Sequence, residues 1–180
     1  MTKKKELMGQ LTNAKNNYIL GLAAMSLFSE SISIEHLRNS HASFGEYTVK
    51  FDQVSSLLAS DADREIAIKE FLTMLIRALL KESFELVRDY AKVSKQDTML
   101  SAQPWYQFAR IIRNCISHNF HFRFTPYDKE KLPVTWNSRI IDSPLQDKPL
   151  AISFLGYDGT WELFKEMGCV PLLVEIRVSA

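Results

Sequence analysis

The stretch SDADREIAIKEFLTMLIRALLKESFELVRDYAK, residues 60–92, has the pattern of one long helix. Ser60 followed by Asp63 resembles a capping box, an arrangement that opens many helices. Polar side chains then recur at roughly helical spacing in one stripe, which consists of Glu65, Lys69, Thr73, Arg77, Lys81, Glu85, Asp89 and Lys92. Apolar side chains surround most of the remaining surface: Phe71, Leu72, Leu75, Leu79, Phe84, Leu86 and Val87. We therefore expect a mainly α fold in which this helix packs centrally against other helices.

A second long helix is predicted at the N-terminus. Three lysines precede the apolar run Tyr18 to Phe28, which has the length of a signal-peptide core but is too short to span a bilayer. One apolar stripe nevertheless continues through the polar residues 12–17, as in an amphipathic helix, and it consists of Leu7, Leu11, Ala14, Tyr18, Leu22 and Met25. No other segment approaches membrane length, so we expect a cytoplasmic protein without a membrane partner.

The composition fits one domain that spans residues 1–180. With 180 residues, 46% of them hydrophobic, the chain can bury a sizeable core. We expect a helical core over residues 1–125 and a β-containing appendage over residues 126–180. Net charge alone does not indicate a nucleic-acid partner, because 22 Lys and Arg stand against 21 Asp and Glu. Cys115 and Cys169 lack a Cys-x-x-Cys pattern, which favours a reducing compartment, and Cys115 is interpreted as a core residue.

Two regions have less regular patterns. Residues 31–58 are predicted to form a shorter helix or a loop, and the spacing of His36 and His41 does not favour a metal site there. Beyond Pro126 the prediction is two β-like segments, a returning strand, a short helix and a terminal strand, at Val134–Trp136, Arg139–Ile141, Leu150–Leu155, Trp161–Met167 and Leu172–Val178. A Gly-rich phosphate loop, a Gly-x-Ser-x-Gly elbow and a His-Glu-x-x-His motif are all missing from the sequence.

The stretch from Thr98 to Pro126 is unusual because it contains no Asp or Glu. It carries five basic side chains, Arg110, Arg113, His118, His121 and Arg123. A solvated helix face usually mixes Glu with Lys at spacings of four residues, and this stretch has neither. The sequence therefore predicts a local positive field with donors suited to phosphate.

The centre of that stretch is predicted to be helical, with Pro104 at a plausible first position. An apolar face is formed by Trp105, Phe108, Ile112, Cys115 and Phe122. The opposite face is expected to carry Gln107, Arg110, Arg113, Asn114, Ser117, His118 and His121. The alternative is a buried helix whose Arg and His side chains are satisfied by neighbouring helices. Asn114 lies four residues before His118, so its amide is expected to touch the imidazole and fix its tautomer.

The same residues carry a family resemblance. Arg113-Asn114, followed after three further residues by His118, resembles the signature of the HEPN superfamily (higher eukaryotes and prokaryotes nucleotide-binding). The long preceding helix and the Trp136-Asn137-Ser138-Arg139 segment look similar to stand-alone HEPN proteins of plasmids and mobile elements. The resemblance implies a HEPN-like helical bundle, a homodimer that brings two motifs into one cleft, and metal-independent RNA cleavage in active members. It also implies that many such domains only bind RNA or a partner protein.

The residue set suits phosphodiester transfer within RNA, as in a toxin or a defence effector. We assign His118 as acid and base, Arg113 as phosphate clamp and Asn114 as orienter, with Arg110, His121 and Arg123 as RNA contacts. Arg113 and His118 lie about 140° apart around a helix, so a two-fold homodimer would bring them together more easily than one chain. We expect neither a metal nor a cofactor. Two alternatives are a non-catalytic dimer that binds RNA or a partner protein, and a basic face covered by a cognate antitoxin.

The resemblance also bears on regulation. In some HEPN toxins a tyrosine two residues after the His receives an adenylate group that silences the toxin. The matching position here is Phe120, which has no hydroxyl group to modify. Control by this route is therefore not expected.

Overall fold

The computed structural model describes residues 3–28 and 30–169 and confirms a mainly α fold with a small β appendage. The helices are α1 (Lys3–Leu27), α2 (Ser31–Arg38), α3 (Asp52–Ala59), α4 (Asp61–Val93), α5 (Asp97–Ser101), α6 (Tyr106–Ser117), α7 (Pro126–Lys131) and α8 (Ile152–Gly168), with a 3-10 turn at Ser143–Leu145. The strands form two antiparallel pairs, β1 (His41–Phe44) with β2 (Tyr47–Lys50) and β3 (Val134–Trp136) with β4 (Arg139–Ile141). None of the described helices has both the length and the apolar character needed to cross a membrane.

The chain divides into two compact units. One unit comprises the residues up to Lys15 together with those from Arg77 onward, and the other is Asn16–Ile76. We call the first the basic unit, since it holds 18 Lys and Arg against 13 Asp and Glu. The second is the acidic unit, which holds 4 Lys and Arg against 8 Asp and Glu.

The two long helices form as their periodicity predicts. The Ser60 hydroxyl accepts a hydrogen bond from the Asp63 backbone N–H at 3.4 Å, and α4 begins between them at Asp61. Its buried apolar residues are Leu72, Ile76, Leu79, Leu80, Phe84, Val87 and Ala91. In α1 the buried stripe begins as predicted, with Leu7, Leu11, Ala14 and Tyr18. Gly21 leaves room for α4, since a Cβ there would lie 2.4 Å from the side chain of Leu75.

Residues 31–58 hold more structure than the single helix or loop predicted. Two short helices, α2 and α3, flank the β1–β2 hairpin, in which Phe44 is paired with Tyr47. Gly45 has a φ of 61°, the left-handed conformation that a tight hairpin turn requires and that glycine adopts without steric cost. The short strands were missed because most of their side chains are exposed, so no apolar alternation marks them.

The C-terminal part is partly as predicted. Both β-like segments pair as β3 and β4, joined by Asn137 and Ser138, whose φ angles of 43° and 63° are typical of a two-residue turn. The predicted strand Leu150–Leu155 is wrong, because α8 begins at Ile152, nine residues before the predicted helix start. Gly156, with a φ of 68°, interrupts the helical backbone near the start of α8. The predicted strand Leu172–Val178 lies outside the described residues.

An aromatic cluster in the basic unit holds α6 in place. The Phe108 ring lies 5.1 Å from that of Trp136 on β3 and 6.2 Å from that of Phe154 on α8, centroid to centroid. Phe122 contacts Phe154 edge-on at 5.8 Å. Such rings contribute large buried areas, so the cluster fixes one face of α6 and turns the other face outward.

Candidate functional site

Helix α6 has the two faces that its sequence predicts. Its buried residues are Phe108, Ala109, Ile111, Ile112, Cys115 and Ile116, whereas its polar side chains lie on the other side. The helix begins at Tyr106, so Pro104 lies in the preceding turn and not at the first helical position. Cys115 is a core residue, and burial raises the pKa of its thiol to about 12. A thiol in this state is a poor nucleophile at neutral pH.

The prediction that the polar face of this helix continues to His121 is wrong. Helix α6 ends at Ser117, and His118 is its C-cap residue, with φ −107° and ψ 46°. Asn119 and Phe120 then have positive φ angles of 54° and 57°, which turn the chain away from the helix axis. Asparagine tolerates this conformation, and such residues often follow a helix end.

A backbone pairing explains why the helix cannot continue. The Leu150 N–H donates to the Phe120 carbonyl at 2.6 Å, and the Phe122 N–H donates to the Lys148 carbonyl at 2.9 Å. The Asp147 N–H donates in turn to the Phe122 carbonyl at 2.7 Å. This pairing buries Phe122 and leaves the flanking His121 exposed. Arg123, the next basic residue, is exposed as well.

Arg113 makes an ion pair that the sequence did not reveal. Its Nε and Nη2 atoms donate to Glu85 Oε1 on α4 at 3.0 and 2.5 Å, and its Nη1 donates to Asn114 Oδ1 at 3.2 Å. The two ionised side chains are 24% and 34% exposed, so water and ligands still reach them. At Arg113 the expected local positive field is compensated by a carboxylate from another helix, in line with the alternative that neighbouring helices satisfy these side chains.

The structure assigns Asn114 to a different neighbour from the one expected. Its amide oxygen accepts from Arg113, and no side-chain hydrogen bond joins it to His118 in the part of the chain that the structure describes. The His118 imidazole is exposed and has no hydrogen-bond partner among the described residues. Asn114 therefore orients the guanidinium, and the imidazole is left available to a ligand.

Helix α4 brings further charge to this end of α6. Arg77, Lys81 and Glu85 recur every four residues and so lie on one face of α4. The first and last are about 12 Å apart along the axis. Glu85 contacts Arg113 and Arg77 lies against Phe120, and Lys81 lies between Arg77 and Glu85 along α4. In the sequence, the row of Arg77, Lys81 and Glu85 was indicated only by the spacing of four residues within the polar stripe.

Arg110 is held by a buried carboxylate. Asp128, only 1% exposed, forms an ion pair with Arg110 and accepts hydrogen bonds from the Thr125 N–H at 2.9 Å and hydroxyl at 2.6 Å. The Arg110 guanidinium also lies over the Tyr127 ring, 4.5 Å from its centroid. These contacts join α6 to α7, so Arg110 has a structural role.

The site therefore assembles only part of the predicted set. Arg113 and Asn114 contact each other in the last turns of α6, and His118 caps that helix, whereas Arg110 lies one turn before Arg113 and pairs with Asp128. Within residues 3–28 and 30–169, no group of three or more His, Cys, Asp or Glu is arranged to hold a metal ion.

Comparisons of this chain with models of protein families, with curated proteins and with solved structures found no match.

Proposed function

We propose that this protein is a HEPN-like, metal-independent endoribonuclease that acts as a homodimer. The observation that carries the proposal is the exposed His118 imidazole at the end of α6, one turn beyond an Arg113 guanidinium that two neighbours hold in a fixed orientation. The excess of Lys and Arg in the basic unit adds a favourable field for RNA.

The proposed reaction is a transfer of the phosphodiester within RNA. One neutral imidazole takes the proton from a ribose 2′-hydroxyl, and that oxygen forms a bond to the adjacent phosphorus. Arg113 stabilises the added negative charge on the phosphoryl oxygens. The bond from phosphorus to the 5′-oxygen then breaks, and a protonated imidazole supplies a proton to that oxygen. The products are a 2′,3′-cyclic phosphate and a free 5′-hydroxyl.

A second copy of the chain supplies the second imidazole in this proposal. His121 is the nearest other histidine in sequence, but its Nδ1 lies 2.9 Å from the Asn119 carbonyl oxygen, beyond the turn that leads away from α6. A two-fold contact would set His118 of each subunit near Arg113 of the other. His121, Arg123 and, more weakly, Arg110 then serve as RNA contacts outside the reacting centre.

The Glu85–Arg113 pair favours a second candidate, an RNA-binding or partner-binding dimer without cleavage. A guanidinium that already neutralises a carboxylate stabilises less additional charge on phosphorus than a free guanidinium does. In either case a toxin, a defence effector or the target of an antitoxin remains the biological setting that the HEPN resemblance suggests.

An RNase assay separates the two candidates. His118→Ala should lower cleavage by about two to four orders of magnitude, while its exposed position leaves the fold intact. Arg113→Lys should also lower cleavage, because lysine lacks the planar guanidinium that can bind two phosphate oxygens at once. His36→Ala is the matched control, since it removes an exposed imidazole from the acidic unit.

The same assay tests the chemistry. Cleavage should survive a chelator, and a 2′-deoxyribose at the cut site should abolish it. Retained cleavage by His118→Ala would exclude this residue from the mechanism. RNA binding without cleavage by the parent protein would establish the non-catalytic candidate instead.

A further inference from the structure

Arg77 differs from Arg110 and Arg113 in having no carboxylate partner among the described residues. Arg110 and Arg113 are paired with Asp128 and Glu85. Arg77 is exposed, and no ion pair or hydrogen bond of its guanidinium occurs among the described residues. Its guanidinium instead lies over the Phe120 ring, 5.2 Å from the centroid. Arg77 therefore keeps its charge and its N–H donors available for a ligand.

Phe120 makes this contact from an unfavourable backbone conformation. A φ of 57° is uncommon for a bulky side chain and costs conformational free energy, and here it follows a second positive φ at Asn119. The hydrogen bond from the Leu150 N–H to the Phe120 carbonyl maintains it. Strain of this kind persists where the surrounding structure enforces it, and it concentrates at functional sites.

The ring and its arginine lie next to the proposed reacting group. Phe120 follows His118 by two residues, and Lys81 lies one helical turn from Arg77 on the same face of α4. Arg77 and Lys81 thus extend the site beyond the end of α6 with two cations that come from a different helix. Neither belongs to the Arg-Asn-x-x-x-His motif.

We infer that Arg77, held in orientation by the Phe120 ring, binds a backbone phosphate of the RNA beside the phosphodiester that faces His118. The inference rests on the proposed function and names how the same site holds its substrate. The ring contacts the guanidinium at 5.2 Å, and the N–H groups of Arg77, which have no hydrogen-bond partner among the described residues, are left to meet two phosphate oxygens. Lys81, on the same face of α4, adds a second positive charge beside Arg77.

The test measures binding of an RNA in which every 2′-hydroxyl is methylated, so that cleavage cannot occur. Fluorescence anisotropy over a series of salt concentrations gives the dissociation constant and its salt dependence. Arg77→Ala should weaken binding about tenfold and lower the slope of log K against log salt by about one. Arg77→Lys and Phe120→Leu should each weaken binding about two- to fivefold with the slope unchanged, because they disturb the contact between the cation and the ring and keep the charge.

The control variant is Arg38→Ala, which removes an exposed arginine from the acidic unit and should leave RNA binding unchanged. Circular dichroism establishes that each variant is folded. If the parent binds the RNA and Arg77→Ala binds it with the same affinity and slope, the inference is overturned and the proposed function stands. Failure of the parent to bind any RNA would overturn both. A loss in Arg77→Ala without a change in slope would exclude a phosphate contact.

Discussion

Replacing Glu85 by Gln should strengthen RNA binding while weakening the fold slightly. The substitution keeps the size of the side chain and one carbonyl oxygen near Arg113, but it removes the negative charge closest to the proposed phosphate site. Any phosphate bound by Arg113 would lie across the guanidinium from Glu85. The carboxylate therefore repels the ligand while it orients the residue that binds it.

The size of both effects follows from the geometry. With the guanidinium between them, the carboxylate and the phosphate would be about 7 Å apart, which gives a repulsion of about 0.6 to 2.4 kcal/mol for effective dielectric constants between about 80 and 20. Removing it should tighten binding by about threefold to sixtyfold. The ion pair is partly exposed, at 24% and 34%, so its loss should lower the free energy of unfolding by about 1 kcal/mol or less.

Anisotropy with the methylated RNA and urea denaturation followed by circular dichroism measure the two quantities. Glu70→Gln is the matched control because Glu70 is exposed on the same helix, 15 residues before Glu85. That separation is about 22 Å along the axis, well beyond the screening length of about 8 Å at physiological salt. Equal affinities for Glu85→Gln and Glu70→Gln would refute the placement of the phosphate at Arg113.

Three further predictions concern the basic unit. Asp128→Ala should lower the free energy of unfolding by about 3 to 5 kcal/mol, because it leaves a partly buried guanidinium without its carboxylate; urea denaturation checks this. Gly159→Ala should lower the free energy of unfolding by about 1 to 3 kcal/mol, because the added Cβ would lie 2.6 Å from the guanidinium of Arg139, which backbone carbonyls hold in place. Gly168→Ala, with open space around it, should leave the free energy of unfolding unchanged. A thiol reagent at pH 8 should modify the exposed Cys169 quickly and Cys115 only after denaturation, because burial raises the Cys115 pKa to about 12. Rapid labelling of both thiols in the native protein would contradict the described core.

Local patterns in the sequence determined most of the secondary structure. The polar stripe of residues 60–92 and the Ser60 cap predicted α4 because helical spacing and end signals depend on residues a few positions apart. The buried face of α6 and the β3–β4 pair were predicted for the same reason. Prediction failed where a distant segment decided the outcome: α6 ends at Ser117 because the following residues pair with the chain around Lys148.

The electrostatics of the candidate site were decided by the tertiary structure alone. A stretch without Asp or Glu predicted a positive surface, yet Glu85 lies 28 residues before Arg113 in the chain and pairs with it in space. Arg77 reaches Phe120 in the same way, from a helix whose sequence gave no sign of the contact. Composition counts charges along the chain, whereas Coulomb interactions depend on distance in space. The sequence could therefore name the residues Arg113 and His118, but only the fold determined which of their neighbours are charged and which donors remain free.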